Sequence, residues 1–361
     1  MNIRLVLAAA VCGLLASAGF AQVTPAPAST VPDDKPSTKI GATIFTDWTY
    51  QESPKTTDAN GNNVNVSSFN VGRAYLNVMG NLNHMLAYRI TPDIVRESGS
   101  GSSLNGSYTF RLKYAFGQLN LDDWTTKGSW VRFGLQQTPF IDYNESVYRY
   151  RFQGPTFEDR EGLFPSSDSG LSGHWNFPSG YGDVQAGFFN GEGYSKAETN
   201  NEKAFQIRGT VRPMPLGGVW KGLRLTGFVD EDHYVASASR RRAIAQVTFE
   251  NPLVNAGADY VTTRDQTTSA KPSVSGKGYT VWVTPRFGTT GWEALLRHDE
   301  FTPNKDASNQ KRKRDIVGIA YWFQHIHGVQ TALMADYDSL NQDGFGKPKD
   351  TRYGLKMLIN F

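Results

Sequence analysis

From Thr38 onward, apolar and polar residues alternate at period two, and no segment sustains a helical period. The last stretch shows the phase plainly. Tyr353, Leu355, Met357, Ile359 and Phe361 fall on one face, and Arg352, Gly354, Lys356 and Asn360 fall on the other. The same split sets Tyr108, Phe110, Leu112, Tyr114 and Phe116 against Thr109, Arg111, Lys113 and Ala115. It recurs with Phe205, Ile207 and Val211 against Gln206, Arg208 and Arg212.

Such segments predict strands near Thr38–Tyr50, Ser67–Gly80, Met85–Arg96, Ser107–Leu121, Ser129–Thr138 and Ser169–Phe177. They continue at Asp183–Asn190, Lys203–Arg212, Gly222–Asp232, Arg240–Glu250, Leu253–Arg264 and Gly278–Phe287, and end with Trp292–Phe301, Asp315–Gln324, Gly328–Ser339 and Thr351–Phe361. The total is about 16, and an even count is what a closed single-chain membrane barrel requires.

Connections alternate in length. Short turns at Asn81–His84, Asn251–Pro252, Gly288–Gly291 and His325–His327 are interleaved with long polar stretches such as Gln51–Asn65, Gly191–Glu202 and Thr302–Arg314. Short turns belong to the periplasmic side of a membrane barrel and long loops to the outside, so odd strands should run outward. A lipid-facing Arg or Lys at mid-membrane costs about 2–4 kcal/mol, which assigns the charged faces to the lumen. A soluble β-sandwich would also alternate. It would not need aromatic residues at the ends of its apolar faces, as at Trp48, Tyr50, Tyr75, Tyr260, Trp292, Tyr337 and Tyr353. The fold expected is an all-β transmembrane antiparallel β-barrel over residues 38–361.

Composition agrees: 12% aromatic residues, 36 glycines and a mean hydropathy of −0.45, with no long apolar segment after the first 20 residues. Before the barrel, Arg4, the apolar run Leu5–Leu15 and the small residues Gly19 and Ala21 predict a signal peptide over residues 1–21. The Pro-, Ala- and Ser-rich stretch 22–37 should form a disordered periplasmic tail. The one cysteine, Cys12, lies within the signal, so disulfides and thiolate chemistry are excluded from the mature chain. Once Arg4 is removed, 36 basic residues stand against 34 acidic ones, a balance that argues against nucleic acid as partner.

Lumen phases carry Arg73, Arg89, Arg111, Lys113, Arg132, Arg208, Arg212, Arg224, Arg240, Arg242, Arg297, Arg352 and Lys356. Against them stand Asp47, Asp93, Asp230, Asp259, Glu293, Asp299 and Asp336. Basic groups predominate, and rings of Arg or Lys favour anions in a pore. About half should instead pair across strands, Glu293 with Arg297 among them. The longest connection, Pro139–Asp168, holds Tyr148, Tyr150, Phe152, Phe157 and Phe164 beside Arg149, Arg151 and Arg160. Long aromatic loops are commonly functional. This one either projects as a surface loop or folds into the barrel and presents its three arginines to the passage.

Catalysis finds little support. His84, His325 and His327 fall in short turns, and His174, His233 and His298 near strand ends. His325 and His327 resemble half a metal site but have no carboxylate cluster nearby. No Ser or Asp nucleophile is set beside a base, so neither an enzyme nor a metal or cofactor site is expected. The run Lys311–Arg314 reads as a solvated loop near the polysaccharide surface.

Several segments resemble one family. Trp130–Phe140 (WVRFGLQQTPF) resembles the Gly-x-x-x-x-Pro-Phe strand end of the phosphate-selective porin O and P family. Val184–Pro213, with Phe188–Gly191 and Arg208–Pro213, is similar to that family's strand, loop and return strand. Asn70–Gly80 with Arg73, Gly257–Tyr260, and Trp292–Arg297 are further echoes, though no lysine cluster of a phosphate-specific kind aligns. The resemblance implies an outer-membrane porin, a water-filled channel for passive diffusion of small solutes, preferring phosphate or similar anions. It also implies a constriction loop after Thr138–Phe140, homotrimers in which outward Ala42 and Ala74 let barrel walls approach, and partners in outer-membrane lipid and lipopolysaccharide. Terminal Phe361 is similar to the signal read by the barrel-assembly machinery. A barrel enzyme and a structural or adhesive barrel are the alternatives, and about 16 strands favour an aqueous channel over both.

Overall fold

The computed structural model describes residues 34–99, 101–307, 309–324 and 328–361. The signal segment 1–21, most of the 22–37 tail, and His325 and His327 lie outside these residues. Sixteen antiparallel strands close into one barrel, each paired to its sequence neighbours and β1 to β16.

The strands are β1 (Ser37–Thr57), β2 (Asn63–Asn81), β3 (Leu86–Arg96), β4 (Tyr108–Asn120), β5 (Trp130–Gln137) and β6 (Ser167–Asn176). Next come β7 (Gly182–Phe189), β8 (Ala204–Val211), β9 (Leu223–Val235), β10 (Ala238–Glu250) and β11 (Val254–Asp265). The wall is completed by β12 (Val274–Pro285), β13 (Trp292–Thr302), β14 (Lys311–Trp322), β15 (Gln330–Asp343) and β16 (Asp350–Asn360). Two short helices, α1 (Ile141–Tyr148) and α2 (Phe157–Arg160), lie in the connection from β5 to β6.

Closure removes the exposed edges that an open sheet would leave unpaired in lipid. The seam is pinned at its end by reciprocal backbone bonds of 3.0 Å between Phe361 and Ala42. Outside, Leu355, Leu333, Val317, Leu296 and Val281 are exposed in phase with one another, the apolar band that the alternation predicts.

Two predicted features are corrected. Tyr114 and Phe116 do not share the outer face of Phe110 and Leu112. Phe110 is 70% exposed, whereas Tyr114 and Phe116 are 6% and 8% exposed. The register steps from Thr91↔Tyr114 to Pro92↔Leu112, leaving Lys113 as an extra residue on β4. Proline has no N–H for the ladder and is tolerated inside a sheet at such irregularities, and a bulge reverses the side-chain phase beyond it. The second correction concerns Lys311–Arg314, which form the start of β14. Arg312 bonds the β5–β6 connection at Glu161 (2.7 Å) and Arg314 bonds Asp338 (2.6 Å). A basic run with paired, in-phase partners on each side is a strand.

Candidate functional site: the loop inside the barrel

The connection between β5 and β6 folds into the barrel and packs against its inner wall. Phe140, Ile141, Phe157, Leu163 and Phe164 form one core with Phe228, Ile244, Val261 and Phe301, drawn from β9, β10, β11 and β13. Val147, Tyr148, Tyr150 and Phe152 form a second with Trp282, Leu295, Ile316, Ala320, Met334, Leu358 and Phe45. Apolar patches therefore line the interior from β9 round to β1 where the loop lies. Runs with apolar residues on both phases, such as Ile316–Trp322, are the signal in the sequence, since a strand covered on both faces reads as continuous rather than alternating.

Polar fasteners complete the docking. Arg208 donates to Pro139 O (2.9 Å), Arg242 to Leu163 O (2.9 Å) and Arg297 to Pro155 O (3.0 Å). Asn255 donates to Val147 O (2.7 Å) and Lys356 to Gln153 O (2.5 Å). Arg208, Arg242 and Arg297 thus belong to the loop's anchorage and are buried under it. One loop carboxyl and one wall carboxyl take part. Asn144 donates to both Glu158 Oε2 (3.0 Å) and Asp259 Oδ2 (3.4 Å), and itself accepts from Gln246 (2.9 Å). Burial, then the neighbouring Asp259, pushes the Glu158 carboxyl well above its ordinary range.

Glu293 and Arg297 do not pair. Residues four apart on a strand are separated by about 13 Å at roughly 3.3 Å per residue. Glu293 instead meets Arg286 (3.2 Å) and Arg149 (3.7 Å), while Arg297 forks onto Asp299 (2.7 Å).

The three loop arginines are not brought together. Arg149 lies over the Trp322 ring, 4.8 Å from its centroid, beside Glu293. Arg160 is turned to the wall, where it bonds Asp338 (3.1 Å) and Gln153 (3.1 Å). Arg151 alone of the three lines the open side, held between Glu145 (2.7 Å) and Asp159 (3.5 Å). A charge packed away from water must be paired, which is why the docked loop turns its cations onto carboxylates.

Between the loop, the β2–β4 wall and residues 191–196 lies a cavity of about 300 Å³, lined by Arg73, Lys113, Arg151, Asp159, Tyr194 and Arg240 among others. Arg73 and Arg111 share Asp93 at 2.6 and 3.0 Å. Arg89, Lys113 and Arg132 have neutral partners. Arg89 donates to Asn77 (2.8 Å) and Thr91 (3.1 Å), Lys113 to the Tyr75 hydroxyl (3.2 Å), and Arg132 to Gln118 (2.7 Å). The rings turned inward by the bulge support them: Arg89 lies 4.6 Å from the Tyr114 centroid and Arg132 lies 4.7 Å from that of Phe116.

The remaining predicted basic residues sit elsewhere. Arg212 donates to Lys221 O (3.1 Å) and Arg224 to Glu250 (3.4 Å), both near the short-turn end. Arg352 pairs with Asp350 (2.7 Å) at the long-loop end. Phe361 is 60% exposed on the outer face.

No family model and no curated protein matches the sequence. Solved structures do match the fold. An anion-selective porin from Comamonas acidovorans aligns with TM-score 0.62 at 12% identity, covering 91% of this chain and 100% of its own. Salmonella typhi OmpF, in complex with daunomycin, aligns at 0.60 and 12% identity, over 91% and 98%. OmpT of Vibrio cholerae in its trimer form aligns at 0.58 and 9% identity, over 91% and 100%. With its closed wall, apolar outer band and inserted loop, the chain is a 16-stranded β-barrel of the bacterial outer-membrane porin fold.

Proposed function

We propose that the protein is an outer-membrane porin, a water-filled channel for passive diffusion of small solutes that prefers anions, with phosphate and similar small anions as its solutes. The observation that carries this reading is the one-sided charge beside the loop. Arg89, Lys113 and Arg132 on β3–β5 have no carboxylate within ion-pair distance among the described residues, and the loop's own Arg151 is offset by Glu145 and Asp159. Charges along a narrow, low-dielectric-walled passage act through less water and focus the field on the solute. The wall, rather than Arg149 and Arg160, then provides the anion contacts, as mobile charge-assisted bonds.

Reversal potentials of single channels in a salt gradient test the reading. Wild type should prefer anions, and Arg89→Gln with Arg132→Gln should move the potential several-fold toward non-selectivity, more than Arg151→Gln does. Cation preference in wild type, or no shift in the double variant, would remove it. Block of chloride current by millimolar inorganic phosphate tests the solute.

Three finer elements belong to the same reading. Membership in the phosphate-selective porin O and P family is supported by the motif residues having structural work. Gly134 adopts φ +123°, where a Cβ would lie 2.5 Å from Ala115 O, and Pro139–Phe140 open the inserted loop. A homotrimer is supported by Ala42 and Ala74, in phase with exposed Ile40 and Leu76 on the outer wall. Cross-linking in mild detergent should give trimers, and a monomer would contradict this. A signal peptide over residues 1–21 is checked by the N-terminal residue of the mature protein.

A further inference from the structure

We infer that the outer wall of β10–β12, at the long-loop end, binds the phosphorylated glycolipid of the outer leaflet. The inference rests on the proposed outer-membrane porin reading, with the long loops on the outer side of the membrane. Arg241 on β10 and Arg264 on β11 occupy directly opposite positions in the ladder, and Lys277 on β12 stands opposite Thr262 one pair further along β11. All three are exposed, in the outward phase of Val247, Tyr260 and Val281. Like charges directly across a sheet repel. One carboxylate, Glu231, pairs with Arg241, while Arg264 donates to the Ser273 hydroxyl (3.1 Å) and Lys277 has no carboxylate partner among the described residues. Three cations against one acid leave an outward charge that the protein does not neutralise.

Depth identifies what does. Tyr260 and Tyr279 face each other across β11 and β12 on the same outer surface, where an interfacial aromatic belt belongs. Lys277 lies two residues and Arg264 four residues beyond them toward the loops, about 7 and 13 Å at strand rise. That is the level of lipid headgroups, past the acyl chains and short of bulk water. The adjacent strands make the contrast. At the same end of β13–β15, Lys311 meets Glu300 (2.8 Å), Lys313 meets Asp343 (3.2 Å) and His298 meets Asp315 (2.6 Å). Lys311 and Lys313 are thus offset by the protein itself, whereas on β10–β12 only Arg241 has an acidic partner and Arg264 and Lys277 have none among the described residues. A bis-phosphorylated headgroup supplies the missing charge, with phosphate oxygens accepting charge-assisted bonds from the two guanidiniums and the ammonium.

The test compares wild type, the triple variant Arg241→Gln/Arg264→Gln/Lys277→Gln and the control Lys311→Gln/Lys313→Gln, each purified from outer membranes as heat-modifiable barrels. Native mass spectrometry then counts retained lipid A. Wild type and control should carry it, and the triple variant should lose it at least tenfold. Added back in detergent, bis-phosphorylated lipid A should rebind wild type at least tenfold better than its dephosphorylated form or phosphatidylglycerol. Equal retention by the triple variant, equal loss in the control, or equal binding of phosphatidylglycerol would overturn the inference. Should the triple variant not fold, Lys277→Gln alone should lower retention and Glu231→Gln should raise it, and no change in either would overturn it equally. Single-channel conductance on the same samples is read separately, so a barrel that fails to conduct indicts the porin reading and not this one.

Discussion

The inserted loop is held by contacts whose individual worth can be stated, and Tyr150 is the place to measure one. Its ring is 1% exposed, stacked on Phe152 at 5.6 Å and edge-on to Trp322 at 5.7 Å. Its hydroxyl donates to Glu293 Oε2 (2.9 Å) and accepts from Trp322 Nε1 (3.2 Å). Tyr150→Phe keeps the ring and removes both bonds. Glu293 retains Arg286 and Arg149, while the half-buried Trp322 N–H loses its partner. A hydrogen bond to a charged group contributes about 1.5–3 kcal/mol, so docking should weaken by about 2 kcal/mol. At 1.4 kcal/mol per decade the undocked population rises about 30-fold. Tyr150→Ala also removes the packing, about 3–5 kcal/mol in total. Hydrogen exchange of peptides spanning 141–160, in detergent, should accelerate in that order while β2–β5 stay protected. If Tyr150→Phe left exchange of the loop unchanged, or raised that of the whole barrel equally, the hydroxyl would not be a fastener of the loop.

Three further outcomes follow from the same contacts. Glu158 is held protonated more tightly in the docked loop than at its ordinary 4.5, so docking is strongest below that pH and weakens as pH rises through the elevated value; loop protection factors, which remove the intrinsic pH dependence of amide exchange, should fall with pH in wild type and stay flat in Glu158→Gln, and a parallel response would refute a role for the Glu158 proton. His84, at the β2–β3 turn, bonds Asp34 and Asp123 (2.9 Å), and those two bonds raise it above 6.5; its NMR titration should move down toward 6.5 in Asp34→Asn/Asp123→Asn, and the clasp it makes is present at low pH and lost as pH rises past its raised value. Deleting Phe361 removes the reciprocal bonds to Ala42 that end the seam, so the yield of heat-modifiable barrel should fall several-fold, and an unchanged yield would show the seam closes without them.

What could be read from the sequence was what lipid enforces. Every strand must hide its charges from the bilayer, so alternation located the strands to within a few residues apart from the far end of β1, which runs on to Thr57, and Tyr353, Leu355 and Met357 lie on the outer face as their phase requires. The lumen imposes no such uniform rule. An inward position can meet water, a carboxylate or a loop, and alternation does not distinguish these. Arg208, Arg242 and Arg297 have the phase of pore residues but donate to loop carbonyls, because a loop folded into a barrel brings unsatisfied carbonyls with it. The reversal at Lys113 was likewise hidden. It needed the coincidence of Pro92 on one strand with the extra residue on its neighbour, which only the register reveals.

The bulge and the loop together explain how a chain with so small a net charge leaves cations without carboxylate partners on one side of its interior. The loop covers the inner wall from β9 round to β1 and takes that wall's cations into carbonyl bonds and carboxylate pairs. The uncovered wall is β2–β5. There Asp93 accounts for Arg73 and Arg111, whereas Arg89, Lys113 and Arg132 are held by amides, hydroxyls and rings, partners that orient a cation without cancelling it. Were Tyr114 and Phe116 to keep the phase of Leu112, they would face lipid and those rings would be absent from beneath the guanidiniums. Removing Lys113 would take away the bulge but leave Tyr114 in simple alternation with Leu112, so both rings would stay inward and anion preference should weaken only by about the loss of one charge. Lys113→Gln, which keeps the bulge and removes the same charge, should lower the preference equally, and a larger loss in the deletion would show that the bulge geometry itself holds Arg89 and Arg132 in place.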